Sequence, residues 1–352
     1  MIPNYRMFVF ARSSRGLSQS NLAEEAGISQ ALLSKIESGI VSASPEVVSK
    51  LSRVLKYPVG LFYETLSHQT LPPAFFRRRM SLGKKAVDKI TARMNLRRLH
   101  LDRMLESAEI PQCRVPRIDL DEIRGGVSRV AQELRAGWNI PPGPVESVIA
   151  ILEKNGVVVI ECDFETNQVD GLSIRSHVDE IPPIVMVSPT IPGDRLRFSI
   201  CHELGHMILH HHMPIPPADC EAQADAFASE FLMPSREISS SLSKITLRRL
   251  AQLKQYWMVS MASLIMKAYD LGKITERQKT YFFTELSRRG WRTNEPVQIP
   301  RETPILIHDL VGIHLNNLGY TVDDFAKKLH LEIDEFIDMY APKGGRRLKV
   351  VK

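Results

Sequence analysis

The sequence lacks the features that mark secreted, membrane-spanning and disulfide-rich proteins. No apolar run approaches the length of a membrane-spanning helix. The apolar stretch near the N-terminus is flanked by charge and is not followed by a small-residue cleavage site, which argues against a secretion signal. Only four cysteines are present, none of them in a CxxC pair, so no disulfide framework is expected. These absences predict a cytoplasmic protein without a membrane partner.

The length and the distribution of charge set the next limits. At 352 residues the chain exceeds what one hydrophobic core usually supports, which predicts about two or three domains. Residues 1–115 contain 18 Lys or Arg and 9 Asp or Glu, a local charge of +9, so that the net charge of +6 leaves −3 for the remainder. A basic N-terminal part suits contact with a polyphosphate backbone, although a solvated basic face would explain the same surplus.

Composition and the positions of glycine and proline divide the chain into four segments. Glycines and prolines punctuate residues 1–65, which predicts a compact bundle of short helices. Residues 66–118 are basic and polar, and apolar residues at helical spacing predict a helical connector. Residues 119–270 combine helical patterns with short strand-like runs. Residues 271–352 are predicted to be helical and to serve as a packing or dimer element, which leaves homodimerisation open.

The third segment changes periodicity along its length. Helices are expected at about 119–136 and 145–155, between prolines. Short β-branched runs bounded by turn residues follow at 156–160, 171–174 and 183–187, which predicts a small sheet. The expected fold is therefore multidomain and mainly α, with an α+β third segment.

One stretch near the N-terminus, Gln19–Glu37, has the spacing that two helices crossing at a tight turn require. Ala23 is small where the helices approach, and Gly27 can take the left-handed turn conformation. Ser18 and Ser29 are suitable N-caps for the two helices. The pattern predicts a helix-turn-helix.

The second of these helices would present polar residues at its N-terminal half, where such helices meet base edges in the major groove. Gln30 is the best candidate for reading a base, and Gln19 is placed to reach phosphate. The candidate DNA-contacting residues are Gln19, Ser29, Gln30, Ala31, Ser34 and Lys35.

Residues 1–65 resemble the phage-repressor-like, or XRE, family of helix-turn-helix domains. The resemblance implies a five-helix bundle whose partner is double-stranded operator DNA. A helical bundle used only for dimerisation or partner docking is the alternative. The basic surplus of the N-terminal part favours DNA.

A second motif begins with two histidines four residues apart. His202 and His206 would share one face of a helix and can chelate one metal ion. Glu203 lies beside them, where a carboxylate can hold a metal-bound water and accept its proton during attack on a peptide carbonyl. Catalytic zinc usually has three protein ligands and one open position, so a third ligand is expected downstream.

Glu221 and Asp225 are the strongest downstream candidates, because their ExxxD spacing puts two carboxylates on one face of a predicted helix. Glu221 would be the ligand, and Asp225 would receive the second ring N–H of a ligand histidine and fix its tautomer. Cys201 and Cys220 each adjoin a proposed ligand, which suggests a thiol switch or an alternative ligand, but neither spacing matches a zinc motif.

His212 offers a competing third ligand, since it stands at the last position of an HExxHxxGxxH arrangement. Leu209 replaces the glycine that would turn the chain back to the metal. His210, His211 and His212 are instead expected to form a solvated cluster at the helix end.

The region from Arg195 to Pro234 resembles the ImmA/IrrE family of metallopeptidases, and the resemblance extends over roughly residues 140–270. The family often has asparagine where this chain has Asp225. The resemblance implies a zincin-like fold, a Zn²⁺ cofactor and an endopeptidase that cuts DNA-bound helix-turn-helix repressors, which releases mobile-element or stress genes.

These observations together predict a DNA-binding transcriptional regulator with zinc-dependent endopeptidase activity toward a helix-turn-helix repressor or another regulator. One alternative is a transcription factor whose metal domain senses a ligand or metal with little or no proteolysis. The intact Glu203 argues against it, because a binding-only domain needs no general base. Another alternative is an antitoxin-like or phage-defence component that acts through partner binding.

Overall fold

The computed structural model describes residues 2–65, 83–175, 182–210 and 217–340. The chain divides into two compact units: the first joins the residues up to Ile110 with those from Leu306 onward, and the second is Pro111–Ile305. None of the helices in the described ranges is long and apolar enough to cross a membrane. The predicted segment 271–352 contributes to both units, and the four-segment division stays a prediction.

The first unit begins with a group of short helices. They are α1 (Tyr5–Ser14), α2 (Gln19–Ala26), α3 (Gln30–Glu37), α4 (Pro45–Leu55) and the 3₁₀ helix Val59–Tyr63. The Ser18 and Ser29 side chains accept backbone N–H bonds from Asn21 and Leu32, so both predicted N-caps are confirmed. Gly27 ends α2 with a φ of 62°, the left-handed conformation that the turn requires.

Apolar side chains from these helices are buried between them. α1 packs against α3 and the 3₁₀ helix, and α2 packs against α3 and α4. Phe8 of α1 stacks on Phe62 of the 3₁₀ helix with a centroid distance of 4.7 Å. A longer helix, α5 (Lys84–Leu105), follows in the region predicted to be a helical connector, and α1 also packs along it.

A three-stranded sheet lies in the second unit, as predicted. Its strands are β1 (Val158–Glu161), β2 (Gly171–Ile174) and β3 (Ile184–Val187), in the order β1-β3-β2. β3 pairs parallel with β1 and antiparallel with β2. All four residues of β3 are buried, whereas burial alternates along β2. The strand order makes β2 an edge strand of the sheet in the described part of the chain.

The second unit also contains several helices. They are α6 (Gly126–Gly137), α7 (Val148–Lys154), α8 (Gly193–Leu209), α9 (Pro217–Leu232), α10 (Ser235–Ile238), α11 (Leu247–Trp257), α12 (Met261–Asp270) and α13 (Glu276–Arg288). α8 packs against α7, α9 and the sheet, and α9 packs against α6 as well as α8. A Cβ atom on Gly205 would lie 3.2 Å from both Ala224 Cα and Phe227 Cδ1. The glycine therefore allows α8 and α9 to approach closely.

Two buried lysines tie the helices of the second unit together. Lys254 Nζ pairs with Asp194 and, at 2.9 Å, with Glu295. Lys267 Nζ lies 2.7 Å from the Glu230 carboxylate, and both side chains are almost fully buried. Because a buried charge without a partner is costly, each lysine depends on its carboxylate and each carboxylate on its lysine.

The last described helices belong to the first unit. They are α14 (Leu306–Gly312), which continues as a π-helical segment (Ile313–Asn317), then α15 (Val322–Lys328) and α16 (Ile333–Tyr340). Arg15, at the end of α1, forms an ion pair with Glu335 of α16 at 2.8 Å. The His100 ring on α5 lies 2.8 Å from the Tyr340 hydroxyl. The fold is thus multidomain and mainly α with a small sheet, as predicted.

Candidate metal centre and nucleic-acid interface

Three predicted ligand side chains meet between α8 and α9. His202 and His206 come from α8, Glu221 comes from α9, and their ligand atoms all lie within 4.8 Å of one another. The two histidine Nε2 atoms are 3.0 Å apart. The Glu221 carboxylate oxygens lie 3.2 Å from His202 Nε2 and 3.4 Å from His206 Nε2. The structure therefore brings together the atoms that the spacing of the two motifs predicts to converge.

The donor set and its dimensions suit zinc. Two imidazole nitrogens and one carboxylate form a ligand set typical of catalytic zinc sites. A tetrahedral zinc ion with ligand bonds of about 2.0 Å separates its ligand atoms by about 3.3 Å. The two Nε2 atoms are 3.0 Å apart, and the nearest Glu221 oxygen is Oε2 at 3.2 Å for His202 and Oε1 at 3.4 Å for His206, so these separations are close to that value. These residues accordingly fit a metal ion of that size.

Asp225 lies one helical turn beyond Glu221 on α9. Its Oδ1 is 2.7 Å from His202 Nδ1. If Nδ1 donates this hydrogen bond, the Nε2 lone pair of His202 is left for the ligand cluster. The Asp225 side chain is 61% exposed, whereas that of His206 is only 4% exposed, so the two ends of the site differ in their access to water.

The Glu203 carboxylate accepts a hydrogen bond from a residue outside the ligand cluster. Glu203 is only 2% exposed, and its Oε2 accepts a 2.6 Å hydrogen bond from the Ser173 hydroxyl of the edge strand β2. The sequence did not reveal Ser173, because nothing in the local sequence marks a strand serine that contacts a helix 30 residues later. The buried carboxylate of α8 is thus held against the edge strand β2.

The predicted solvated histidine cluster is wrong for His210. This residue is half-buried, its Nδ1 lies 2.8 Å from His206 Nδ1, and its Nε2 lies 2.9 Å from Gln223 Oε1. The packing of α9 against α8 puts Gln223 opposite the end of α8, which shields the ring from solvent. His211 and His212 lie outside the described residues. The four-residue spacing of His202, His206 and His210 could have revealed the shared helix face.

The cysteines beside the proposed ligands have different surroundings. Cys201 is fully buried, and burial raises the pKa of its thiol far above the usual value. A thiol of this kind is a poor source of thiolate, which argues against a redox switch at Cys201. Cys220 is half-buried.

The predicted DNA-contacting residues lie at the N-cap of α3, along α3 and, for Gln19, at the start of α2. Ser29, Gln30, Ala31 and Lys35 are exposed, whereas Ser34 is half-buried. Four of the six predicted DNA-contacting residues are therefore exposed on the first unit.

Gln19 is placed by a chain of hydrogen bonds. It is half-buried, its amide N–H donates to Glu37 Oε2 at 2.8 Å, and its Oε1 accepts from Gln30 Nε2 at 3.0 Å. Arg12 of α1 binds both carboxylate oxygens of Glu37, at 2.6 and 2.8 Å. The sequence did not reveal this support, because it joins three separate helices. Gln30 is thus held in one position at the surface.

Comparison with known families agrees with both motifs. Residues 11–62 match the family model described as helix-turn-helix. Residues 152–269 match the model of the IrrE N-terminal-like domain, a peptidase family. No curated protein matches the chain. Both resemblances indicated by the sequence are confirmed over these residues, and one polypeptide joins an XRE-type helix-turn-helix segment to an IrrE-like peptidase-family segment.

Proposed function

We propose that this protein is a DNA-binding transcriptional regulator whose second unit is a zinc-dependent endopeptidase. The convergence of His202, His206 and Glu221, with Glu203 buried beside them, carries the proposal. The family matches support a regulator with a metallopeptidase-like domain. The zinc ion, the bond that is cut and the substrate are our assignments.

His202 and His206 would bind zinc through their Nε2 atoms and Glu221 through its carboxylate, in a gluzincin-like arrangement. Asp225 accepts from His202 Nδ1 and so fixes the orientation of that ring. Zinc in such a site supplies Lewis acidity, which polarises a peptide carbonyl and makes water more acidic.

Glu203 is assigned the role of general base. Its Oε2 accepts the Ser173 hydrogen bond, and we assign to this carboxylate the proton taken from the attacking water. Burial at 2% exposure keeps the carboxylate in a low-dielectric setting. The same group would return the proton to the leaving amine as the peptide bond breaks.

The position of the edge strand β2 favours a polypeptide as the substrate. Among the described residues it pairs with β3 on one side, and Ser173 connects it to Glu203. An extended peptide that added to the other edge of β2 would place its backbone beside the general base. Following the resemblance, we propose that the substrate is a helix-turn-helix repressor or another regulator.

The exposed N-terminal half of α3 is proposed to enter the major groove of double-stranded operator DNA. Gln30, held by Gln19, would read a base edge, and Lys35 would add a positive charge near phosphate. Ser29, Ala31 and Ser34 are proposed to line the same contact. We place the regulator in the cytoplasm together with these partners, and a homodimer stays a prediction.

Metal analysis of the full-length protein, dialysed against zinc at neutral pH, tests the proposed centre. We expect one zinc ion per wild-type chain and a loss of more than about 100-fold in affinity in Glu221→Ala, beyond the effect of an outer partner. Lys273→Ala, an exposed position of the second unit, is the control and should bind as wild type does. A folded wild-type protein that binds no zinc would contradict the proposal.

A further inference from the structure

We infer that His210, together with Gln223, is a positioning residue that sets the tautomer and orientation of His206. The inference rests on the proposed zinc function, and it concerns residues outside the ligand set. It follows from two hydrogen-bond distances and from the number of protons that each neutral imidazole carries.

The two ring nitrogens of His206 have different neighbours. Its Nε2 faces the ligand cluster, 3.0 Å from His202 Nε2 and 3.4 Å from Glu221 Oε1. Its Nδ1, on the other side of the ring, lies 2.8 Å from His210 Nδ1. A neutral imidazole that offers the Nε2 lone pair to a cation carries its hydrogen on Nδ1. His206 Nδ1 is therefore the donor toward His210.

The hydrogen positions of the His210 ring follow in the same way. Two ring nitrogens 2.8 Å apart need one donor and one acceptor, so His210 Nδ1 accepts. A neutral His210 then has its hydrogen on Nε2, which lies 2.9 Å from Gln223 Oε1. An amide oxygen accepts that hydrogen bond. One assignment of hydrogens thus satisfies the whole row from the ligand cluster to Gln223.

This row makes α9 the support of both ligand histidines. Asp225 receives the N–H of His202 directly at 2.7 Å, and Gln223 receives that of His206 through His210. Both acceptors are on the helix that also carries Glu221. The two rings differ in one respect: His202 has a carboxylate as its outer partner, whereas His206 has a neutral imidazole.

The contacts favour a positioning role over direct ligation for His210. Its Nδ1 faces the far side of the His206 ring, and its Nε2 faces Gln223. The cluster of atoms within 4.8 Å that could hold an ion comprises His202, His206 and Glu221, among the residues that the structure describes.

The test measures zinc affinity of the full-length apoprotein by competition with a chromophoric chelator. His210→Leu removes the acceptor and should weaken zinc binding by about 10- to 100-fold, the range for outer partners. His210→Asn keeps an oxygen near the position of Nδ1 and should restore most of the affinity. Gln223→Leu should give a smaller loss, because it acts one bond further away. His308→Leu, in the first unit, controls for the loss of a histidine.

Circular dichroism of each apoprotein separates misfolding from loss of metal affinity. If His210→Leu does not fold, Gln223→Leu and His210→Asn still test the row. Folded His210→Leu and Gln223→Leu proteins with wild-type affinity would overturn the inference alone. Equal losses in His210→Leu and His210→Asn would overturn the acceptor role, and a wild-type protein without zinc affinity would overturn both this inference and the proposed function.

Discussion

The helix-turn-helix and the metal centre are held by contacts of different range. In the helix-turn-helix, Ser18 and Ser29 cap their helices through backbone groups only three residues away. In the metal centre, His202 meets Asp225 over 23 residues, and Ser173 meets Glu203 over 30 residues. Local chemistry therefore defines the ends of the two helices of the helix-turn-helix, whereas helix and sheet packing defines the candidate metal centre.

The largest expected effect comes from removing a buried tertiary contact in the second unit. Lys267→Met leaves the Glu230 carboxylate buried without its cation, which should cost about 3–5 kcal/mol of unfolding free energy. Urea unfolding of the full-length protein, followed by tryptophan fluorescence, measures the loss. Lys273→Met is the matched control, because Lys273 is exposed in the same unit and its replacement should change stability by less than about 0.5 kcal/mol.

The same pair predicts a pH dependence. Burial alone would raise the pKa of Glu230, but hydrogen bonds from Lys267, Ser235 and Gln132 outweigh burial and lower the pKa. The carboxylate therefore contributes stability above its unfolded pKa of about 4.3, and this is lost as the pH falls through the folded value. Lys267→Met should flatten the acid limb of stability against pH, and an unchanged acid limb would contradict the assignment.

The next largest effect concerns the carboxylate outside the metal ligands. Asp225→Ala removes the acceptor of the His202 N–H and should weaken zinc binding by about 10- to 100-fold. Asp225→Asn keeps an oxygen acceptor without the charge and should lose less. Chelator competition with both apoproteins measures the difference, and equal affinity in wild type and Asp225→Ala would show that the packing of α9 alone orients the ring.

A third change tests whether the exposed face of α3 reads bases. Gln30→Ala should weaken binding to a duplex selected by the wild-type protein by about 1–3 kcal/mol. Binding to unrelated duplexes should change little. Lys35→Ala should instead weaken binding to every duplex and lower the salt dependence by about one ion. A uniform loss across sequences in Gln30→Ala, measured by fluorescence anisotropy, would remove Gln30 from base recognition.

The smallest expected effect comes from removing a local contact, the N-cap of α3. Ser29→Ala removes the cap at the Leu32 N–H and should destabilise α3 by about 1 kcal/mol. Hydrogen exchange of the Leu32 amide should accelerate accordingly, whereas Ser29→Asn should retain the protection. Unchanged exchange in Ser29→Ala would show that tertiary packing alone sets the start of α3.

This difference in range explains what the sequence could predict. The caps, Gly27 and the three strands follow from neighbouring residues, and the four-residue spacing correctly placed His202 and His206 on one helix face. Glu221 and Asp225 were found because both carboxylates share one helix face. Their roles as ligand and outer partner stay predictions.

The remaining partners depend on which elements pack together. Ser173 reaches Glu203 because β2 packs against α8, and Gln223 reaches His210 because α9 packs against α8. The row from Arg12 through Glu37 to Gln19 joins three helices in the same way. No local pattern marks such partners, since the same side chains would be solvated in a different packing.

Proteolysis by the proposed mechanism requires Glu203 to act as the general base. Newly generated protein N-termini should be compared in cells that express the wild-type protein or Glu203→Gln, under several stresses. We expect cleavage products, including one from a DNA-binding regulator, that appear only with the wild-type protein. Identical sets of N-termini, with both proteins folded and bound to zinc and DNA, would contradict proteolysis and favour a metal-sensing transcription factor.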